Sequence, residues 1–322
     1  MVIKRLKRNF TILDGKLIAH KGIYGYSYKL RQNIEPNSFL SCKIAIDNGI
    51  PFECDIRNTL DNIPVLAHDN VIESEGIKIK VNKHNYNELV ELLKDKAPAK
   101  LEDVLEYNNS KVSIIVDAKE AHIFYSKYRD NLANILNKYA INGEIMLQSF
   151  NPFFMLSMRN HLKDVLTGQL ICRGKTILDS FKAPKRVAFA YERIISLICF
   201  IARTDVINME NHEDERWHKA TRFFISKEES IKIKTKRDKL LDKIENSIYK
   251  GRYRIIKLTD KIQLKLVKMA HELTKKPVLS FTITDKNDFS CMENLYIVSY
   301  IADFSELGIE KYIEKMKKIK NQ

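Results

Sequence analysis

The sequence predicts an α/β fold, a (β/α)8 barrel of the triosephosphate isomerase type. Eight short runs of apolar and β-branched residues recur along the chain, and longer segments with helical periodicity separate them. Such runs are typical of parallel strands buried on both faces, and their number is that of a barrel. The predicted strands are Lys16 to His20, Pro51 to Ile56, Val112 to Lys119, Ile145 to Ser149, Thr167 to Ile171, Val206 to Met209, Pro277 to Thr282 and Ile297 to Ala302.

The connections between these strands predict helices and one small hairpin insertion. The hairpin follows the second strand, where Asp61 and Asn62 supply turn residues and Pro64 to His68 reads as a returning strand. This strand would bring His68 back to the rim on which the second barrel strand ends. Helices are predicted at Asn37 to Asn48, Lys100 to Tyr107 and Asp130 to Tyr139.

One late segment, Glu213 to Ile262, breaks this rhythm because it is dense in Lys, Arg and Glu and contains no clear strand. We interpret it as a basic helical insertion in a single domain that spans residues 1–322. A solvated helical excursion explains it, and so does a lid or a contact with a polyanion or a membrane surface.

Composition limits the partners and the compartment. The formal charge of +14 favours anionic partners, among them phosphate esters, nucleic acid and anionic lipid. The five cysteines show no CxxC spacing, so neither a disulfide framework nor a zinc site is indicated. The basic N-terminus lacks the apolar run of a signal peptide, and the apolar stretch Ile194 to Ala202 is too short to span a membrane. We expect a cytoplasmic protein, with peripheral membrane contact left open.

Three carboxylates are candidates for a metal site. Glu53 and Asp55 are two residues apart on a predicted strand, so both side chains project to one side. A buried acidic pair of this kind requires a bound cation or a nearby Lys or Arg to offset its repulsion. Asp117 ends another strand and would complete an oxygen-rich site suited to Mg²⁺ or Ca²⁺. Lys119 follows on the same face, where it would contact a phosphate oxygen or form a salt bridge with a carboxylate.

Two histidines at strand ends are candidates for proton transfer. His20 closes the first strand and His68 closes the hairpin. Imidazole exchanges protons near neutral pH, so the two rings could serve as the base and the acid of one reaction. A hydrogen-bonded loop role explains either histidine alone, but not the concurrence of all these positions.

Several motifs occur in a recognisable order. They are Ile18-Ala19-His20-Lys21-Gly22, Glu35-Pro36-Asn37-Ser38, Phe52-Glu53-Cys54-Asp55-Ile56, Thr59-Leu60-Asp61 and Pro64-Val65-Leu66-Ala67-His68-Asp69, followed by Lys100-Leu101-Glu102-Asp103-Val104-Leu105, Asp117-Ala118-Lys119, Gln148-Ser149-Phe150-Asn151, Phe281-Thr282 and Ile301-Ala302-Asp303. In order and spacing the chain resembles the glycerophosphodiester phosphodiesterases, strongly to about Pro152 and weakly beyond.

The resemblance implies an activity and a role for each site residue. The family hydrolyses glycerophosphodiesters, small-molecule substrates, to glycerol 3-phosphate and an alcohol with one Mg²⁺ or Ca²⁺. It implies that Glu53, Asp55 and Asp117 bind the metal and that His20 and His68 act as acid and base. Contacts with the substrate are implied for Lys21, Lys119 and Asn37.

The chain departs from the family pattern at several places. Asp117 stands where many members carry glutamate, and Phe281-Thr282 replaces a Trp-Thr pair. Lys21 stands where an arginine is usual, which loses the bidentate fork that grips phosphate. Glu35 and Pro36 invert the usual Pro-Glu order before Asn37.

Two alternatives stay open. Lys21, Pro36 and the basic insertion suggest a binding protein that kept the barrel but lost turnover. The apolar stretch Ile194 to Ala202 and the basic insertion would favour a lysophospholipase D-like enzyme that acts on membrane phosphodiesters, if they flank the barrel mouth. No signature of specific nucleic-acid binding is visible.

Overall fold

The structure is a computed structural model that describes residues 17–119, 126–140, 144–171, 206–210, 278–283 and 297–320. Within these ranges the strands are β1 (Leu17–Ala19), β2 (Gly25–Ser27), β3 (Gln32–Ile34), β4 (Phe52–Asn58), β5 (Pro64–Leu66), β6 (Val71–Ser74), β7 (Ile77–Lys80), β8 (Ile114–Ala118), β9 (Ile145–Ser149), β10 (Leu166–Ile171), β11 (Val206–Glu210), β12 (Val278–Ile283) and β13 (Ile297–Ala302). The helices are α1 (Phe39–Asp47), α2 (Tyr86–Leu93), α3 (Leu101–Asn108), α4 (Ser126–Ala140), α5 (Pro152–Arg159) and α6 (Ile309–Lys320), with short 3-10 turns at Val81–Lys83, Lys94–Lys96 and Ser305–Leu307.

Eight parallel strands form the barrel. β4, β8, β9, β10, β11, β12 and β13 pair in parallel, each with the next. β1 closes the ring because it pairs in parallel with β13 along its length and with β4 at Ala19 and Phe52. All eight predicted strands are confirmed, with bounds that shift by two residues at most. The TIM-type fold predicted from the apolar runs is therefore observed.

The connections add helices and two-stranded hairpins. The three predicted helices are present as α1, α3 and α4, whereas α2, α5 and α6 were not predicted. β5 returns antiparallel to β4, and β2–β3 and β6–β7 form separate antiparallel hairpins. The predicted basic insertion, Glu213 to Ile262, and the apolar stretch Ile194 to Ala202 lie outside the described residues. In the described part of the chain, no helix has the length and apolar content that crossing a bilayer requires.

Alternation along β4 separates the core from the barrel interior. Phe52, Cys54 and Ile56 belong to the buried apolar cluster that also includes residues of α1, α3 and α4. Successive side chains of a strand point to opposite faces, so Glu53 and Asp55 point the other way, into the barrel. β4 therefore anchors itself with one face and presents its acidic pair with the other.

The turn after β1 is fixed by a glycine against α1. The Gly22 N–H donates to the Glu53 carbonyl oxygen at 3.0 Å, and the Ile23 N–H donates to the Ser41 carbonyl oxygen at 3.0 Å. Gly22 adopts a φ of +76°, and a Cβ atom there would lie 2.7 Å from the carbonyl carbon of Ser41. Glycine thus permits a left-handed backbone and a close approach to α1 at the same position.

We predict that Gly22→Ala destabilises the protein by about 3 kcal/mol, because it combines a left-handed φ with a backbone clash. Gly49→Ala is the matched control, since Gly49 has a φ of +67° and no atom within 4 Å of its added Cβ. We expect that control to cost about 1 kcal/mol in the free energy of unfolding, measured by chemical denaturation. Equal losses in the two variants would contradict the packing argument.

Candidate active site

Three buried carboxylates meet inside the barrel near the carboxyl ends of β4 and β8. Glu53 and Asp55 come from β4, Asp117 comes from β8, and Asp55 pairs with Asp117 in the strand register. Each side chain offers an oxygen atom within 4.8 Å of the other two. The residues are 2%, 1% and 4% exposed, respectively. The sequence-predicted acidic cluster is thus assembled, and it lies almost out of reach of bulk water.

Two lysines offset the charge of this cluster. The Lys119 Nζ atom lies 2.8 Å from Asp55 Oδ1 and 2.6 Å from Asp117 Oδ2. Lys21 Nζ lies 3.9 Å from Asp55 Oδ2. Burial alone would lower the pKa of Lys119, but the charges of Asp117 and Asp55 outweigh burial and raise it above its usual value. The salt bridge that the sequence left open for Lys119 is therefore present.

The three carboxyl groups differ in acidity because their surroundings differ. Burial, followed by the charges of Asp55 and Asp117, raises the pKa of Glu53 well above its usual range. Burial also raises the pKa of Asp117, to about 6, although Lys119 opposes the shift. Burial acts in the same direction on Asp55, but the charges of Lys119 and Lys21 outweigh it and lower that pKa to about 2. Asp55 is thus ionised at neutral pH. Ionisation of Glu53 and Asp117 is opposed by burial and by the neighbouring negative charges.

Asn37 holds Asp55 in place. Its Nδ2 atom donates to Asp55 Oδ2 at 2.6 Å, and its Oδ1 atom accepts from the Asp55 backbone N–H at 2.9 Å. Asn37 has a φ of +53°, and its own N–H donates to the Lys21 carbonyl oxygen. The resemblance implies a substrate contact here, whereas the observed contacts of this side chain are with Asp55. Sequence reasoning missed this role because the two residues are 18 positions apart.

His20 stands between the acidic cluster and a fourth carboxylate. Its Nε2 atom lies 4.0 Å from Glu53 Oε2, and its Nδ1 atom lies 3.4 Å from Asp303 Oδ2. Tyr24 also donates its hydroxyl to Asp303 Oδ2, while the N–H and Oγ of Ser305 donate to Asp303 Oδ1 at 3.1 and 2.7 Å. Burial would raise the pKa of Asp303, but the hydrogen bonds from His20, Tyr24 and Ser305 hold it well below its usual range.

Asp303 was not predicted as a site residue, although it belongs to the late motif Ile301-Ala302-Asp303. A usable signal exists, because Asp303 directly follows β13, and β13 pairs with β1, which ends at His20. Polar residues that follow neighbouring parallel strands meet at one rim of a barrel. Applied to the last strand, this rule would have placed Asp303 beside His20.

His68 lies at the rim, outside the buried cluster. Its side chain is 48% exposed, and its Nδ1 atom lies 3.0 Å from Asp69 Oδ1. Partial burial, the largest cause, lowers the pKa of His68, while the charge of Asp55 acts in the opposite direction. The Ala67 N–H donates to the Asp55 carbonyl oxygen at 3.0 Å, so the residue before His68 lies beside β4. The structure thus brings His20 into contact with Glu53 and leaves His68 nearby, facing solvent.

The donor set fits a hard divalent cation. The buried Asp117 Oδ1 atom has no hydrogen-bond partner among the described residues, which is costly for a carboxylate oxygen unless a cation binds it. When all three carboxylates are ionised, the two lysines offset two of the three negative charges, so the cluster keeps one. A divalent cation and a phosphodiester monoanion would together bring the site to neutrality.

We predict that Asp117→Asn stabilises the metal-free protein in EDTA at about pH 8 by on the order of 2 kcal/mol. A raised carboxyl pKa means that the stability contributed by protonated Asp117 is present at low pH and is lost as the pH rises through about 6. The advantage of the variant should therefore shrink towards about pH 5, as measured by thermal unfolding. A variant that is less stable than the wild type at both pH values would contradict this interpretation.

Comparison with known proteins identifies the class to which this arrangement belongs. The sequence model described as the Glycerophosphoryl diester phosphodiesterase family matches residues 20–197, which is more than half of the chain. No curated protein matches the sequence significantly.

Solved structures share the fold at low identity. A Silicibacter pomeroyi protein assigned to the glycerophosphoryl diester phosphodiesterases superposes with a TM-score of 0.59 at 14% identity, covering 95% of this chain and 97% of the other. The glycerophosphodiester phosphodiesterase of Thermotoga maritima gives 0.55 at 15% identity, with 92% and 98% covered. An Oleispira antarctica phosphodiesterase, solved in complex with the product sn-glycerol-3-phosphate, gives 0.51 at 13% identity, with 95% and 97% covered.

The family match begins at His20, and it includes both acidic strands, the returning strand β5 and His68, which lies two residues after β5. The similar structures cover nearly the whole chain and show the same barrel fold. The chain therefore belongs to the glycerophosphoryl diester phosphodiesterase family and is a phosphodiester hydrolase.

Proposed function

We propose that this enzyme hydrolyses glycerophosphodiesters to glycerol 3-phosphate and an alcohol, with one Mg²⁺ or Ca²⁺ and with His20 and His68 as acid and base. The observation that carries the proposal is the cluster of three buried carboxylates that His20 contacts at the barrel rim. The product bound to the Oleispira antarctica enzyme supports glycerol 3-phosphate as the released phosphate ester.

Glu53, Asp55 and Asp117 would hold the divalent cation, which when bound supplies a positive charge that stabilises the negative charge developing on the phosphoryl oxygens. The ammonium of Lys119 now contacts two of these carboxylates. With those carboxylates engaged as metal ligands, Lys119 would have N–H groups available to donate to a phosphate oxygen. Lys21 supplies a second positive charge at the same rim.

The histidines move the two protons that the reaction requires. One ring takes the proton of the glycerol hydroxyl as it attacks phosphorus, and the other gives a proton to the departing alkoxide. The resulting cyclic ester is opened by water when the two rings exchange roles. Because Nδ1 of His20 faces Asp303, its Nε2 atom is left facing the acidic cluster for the transfer.

The first test measures release of glycerol 3-phosphate from glycerophosphocholine and from lysophosphatidylcholine, with Mg²⁺, Ca²⁺ or EDTA. We expect metal-dependent product, and we expect His20→Ala and Glu53→Ala to lower kcat/KM by about 10² to 10⁴. His161→Ala and Glu102→Ala are the matched controls, because these side chains form surface ion pairs with Asp130 and Lys138. Folded protein that releases no product with any metal would favour a binding protein on the same barrel.

Asp303 acts through His20, so its replacement should affect turnover more than binding. We predict that Asp303→Asn lowers kcat by about ten- to a hundredfold, with KM and the metal-induced rise in Tm unchanged. Asp69→Asn tests the exposed partner of His68 and should change kcat by less than about threefold. A loss of Tm with unchanged kcat would show that Asp303 stabilises the fold alone.

A further inference from the structure

The β2–β3 hairpin exposes a cluster of large side chains at its tip. Tyr28 is 69% exposed, Leu30 is 50% exposed and Tyr26 is 45% exposed. Lys29 and Arg31 alternate with these residues and are exposed as well. No acidic residue occurs between Gly25 and Ile34. The tip therefore combines exposed aromatic and aliphatic side chains with two cationic ones. Exposed apolar clusters with a polar surround are typical of interaction sites.

The tip is held in place by the first turn of α6. Glu310 accepts hydrogen bonds from Ser27 Oγ at 2.8 Å, from the Lys29 N–H at 3.1 Å and from the Tyr28 N–H at 3.3 Å. The Leu30 N–H donates to Ser27 Oγ at 3.1 Å. These bonds, led by that of the Lys29 N–H, lower the pKa of Glu310 to about 2, so the anchor stays ionised at neutral pH. The side chains are thus presented on an ordered backbone.

The hairpin stands at the same rim as the active site. β2 begins shortly after His20, and Tyr24, which precedes it, donates its hydroxyl to the Asp303 carboxylate that contacts His20. The six Cα–Cα steps from Tyr24 to Leu30 span at most about 22 Å even when fully extended. A surface that contacts the tip therefore also lies close to the entrance of the barrel.

We propose that the tip of the β2–β3 hairpin docks the barrel rim onto an anionic lipid surface. Tyrosine rings favour the headgroup region of a bilayer, a leucine side chain enters the acyl boundary, and Lys29 and Arg31 pair with anionic headgroups. The complementary charge favours lipid over a neutral apolar protein surface. Delivery of a membrane-held phosphodiester to His20 would follow, and that consequence rests on the proposed function.

Cosedimentation of the full chain with vesicles tests the docking directly. We expect binding to vesicles of mixed phosphatidylcholine and phosphatidylglycerol, weaker binding to phosphatidylcholine alone, and a loss of binding as salt increases. The triple variant Lys29→Gln, Leu30→Ser, Arg31→Gln should bind anionic vesicles at least about tenfold more weakly. Its folding is checked by thermal unfolding, since Glu310 binds the tip through backbone N–H groups and the hydroxyl of Ser27.

The chain offers a matched control in and after α2. Leu92 is 50% exposed, as is Leu30, and two lysines follow it at Lys94 and Lys96. The variant Leu92→Ser, Lys94→Gln, Lys96→Gln removes the same kinds of group and the same charge from another surface. We expect it to weaken vesicle binding by less than about twofold.

Three results would overturn the proposal: wild-type protein that ignores anionic vesicles, a tip variant that binds as the wild type does, or a control that loses as much binding as the tip variant. Wild-type protein that does not bind anionic vesicles would instead indicate that the hairpin contacts a protein partner. Hydrolysis of soluble glycerophosphocholine is measured in parallel and should be equal in the wild type and the tip variant. Its absence from every sample would refute the proposed function while vesicle binding still reports on the hairpin.

Discussion

The crowding of three carboxylates around one lysine is the constraint on which the rest of the site depends. Burial makes each negative charge costly, and Lys119 reduces that cost for Asp55 and Asp117 through short ion pairs. Glu53 receives less compensation, first from the charge of Lys119 and then from the N–H of Lys21. A barrel stable enough to tolerate this arrangement can keep a strongly charged site away from water, where electrostatic effects on a reacting phosphate are large.

Barrel closure and proton transfer use the same pair of strands. β1 and β13 come from opposite ends of the described chain, and the ends of their ladder bring His20 beside Asp303. The last 3-10 turn then adds Ser305, and α6 adds Glu310 under the β2–β3 hairpin. The final part of the chain thus positions both a candidate catalytic histidine and the hairpin that stands beside it.

The sequence predicted what depends on local pattern and missed what depends on distant partners. The eight barrel strands were predictable because burial on both faces leaves short, largely apolar runs, even where β4 alternates apolar residues with Glu53 and Asp55. The acidic residues were predictable because buried carboxylates on such strands require a bound cation or a nearby Lys or Arg, and several candidate residues of this kind occur together. The role of Asn37 was not, since it depends on a hydrogen bond to Asp55 that only the packing of the β1–α1 loop creates. Lys119 fitted two roles, because spacing does not distinguish a salt bridge from a phosphate contact.

The departures at Lys21 and at Glu35-Pro36 leave the acidic cluster intact. Lys21 contributes a backbone N–H to Glu53 and a charge near Asp55, and neither contact requires the fork of a guanidinium. Glu35 is exposed and accepts from Asn33, while the next residue of the turn, Pro36, is exposed too. Asn37 keeps its bonds to Asp55 because its own N–H binds the Lys21 carbonyl oxygen, a contact independent of the side chain before it. The inverted pair therefore changes the surface of the loop and preserves the geometry beneath it.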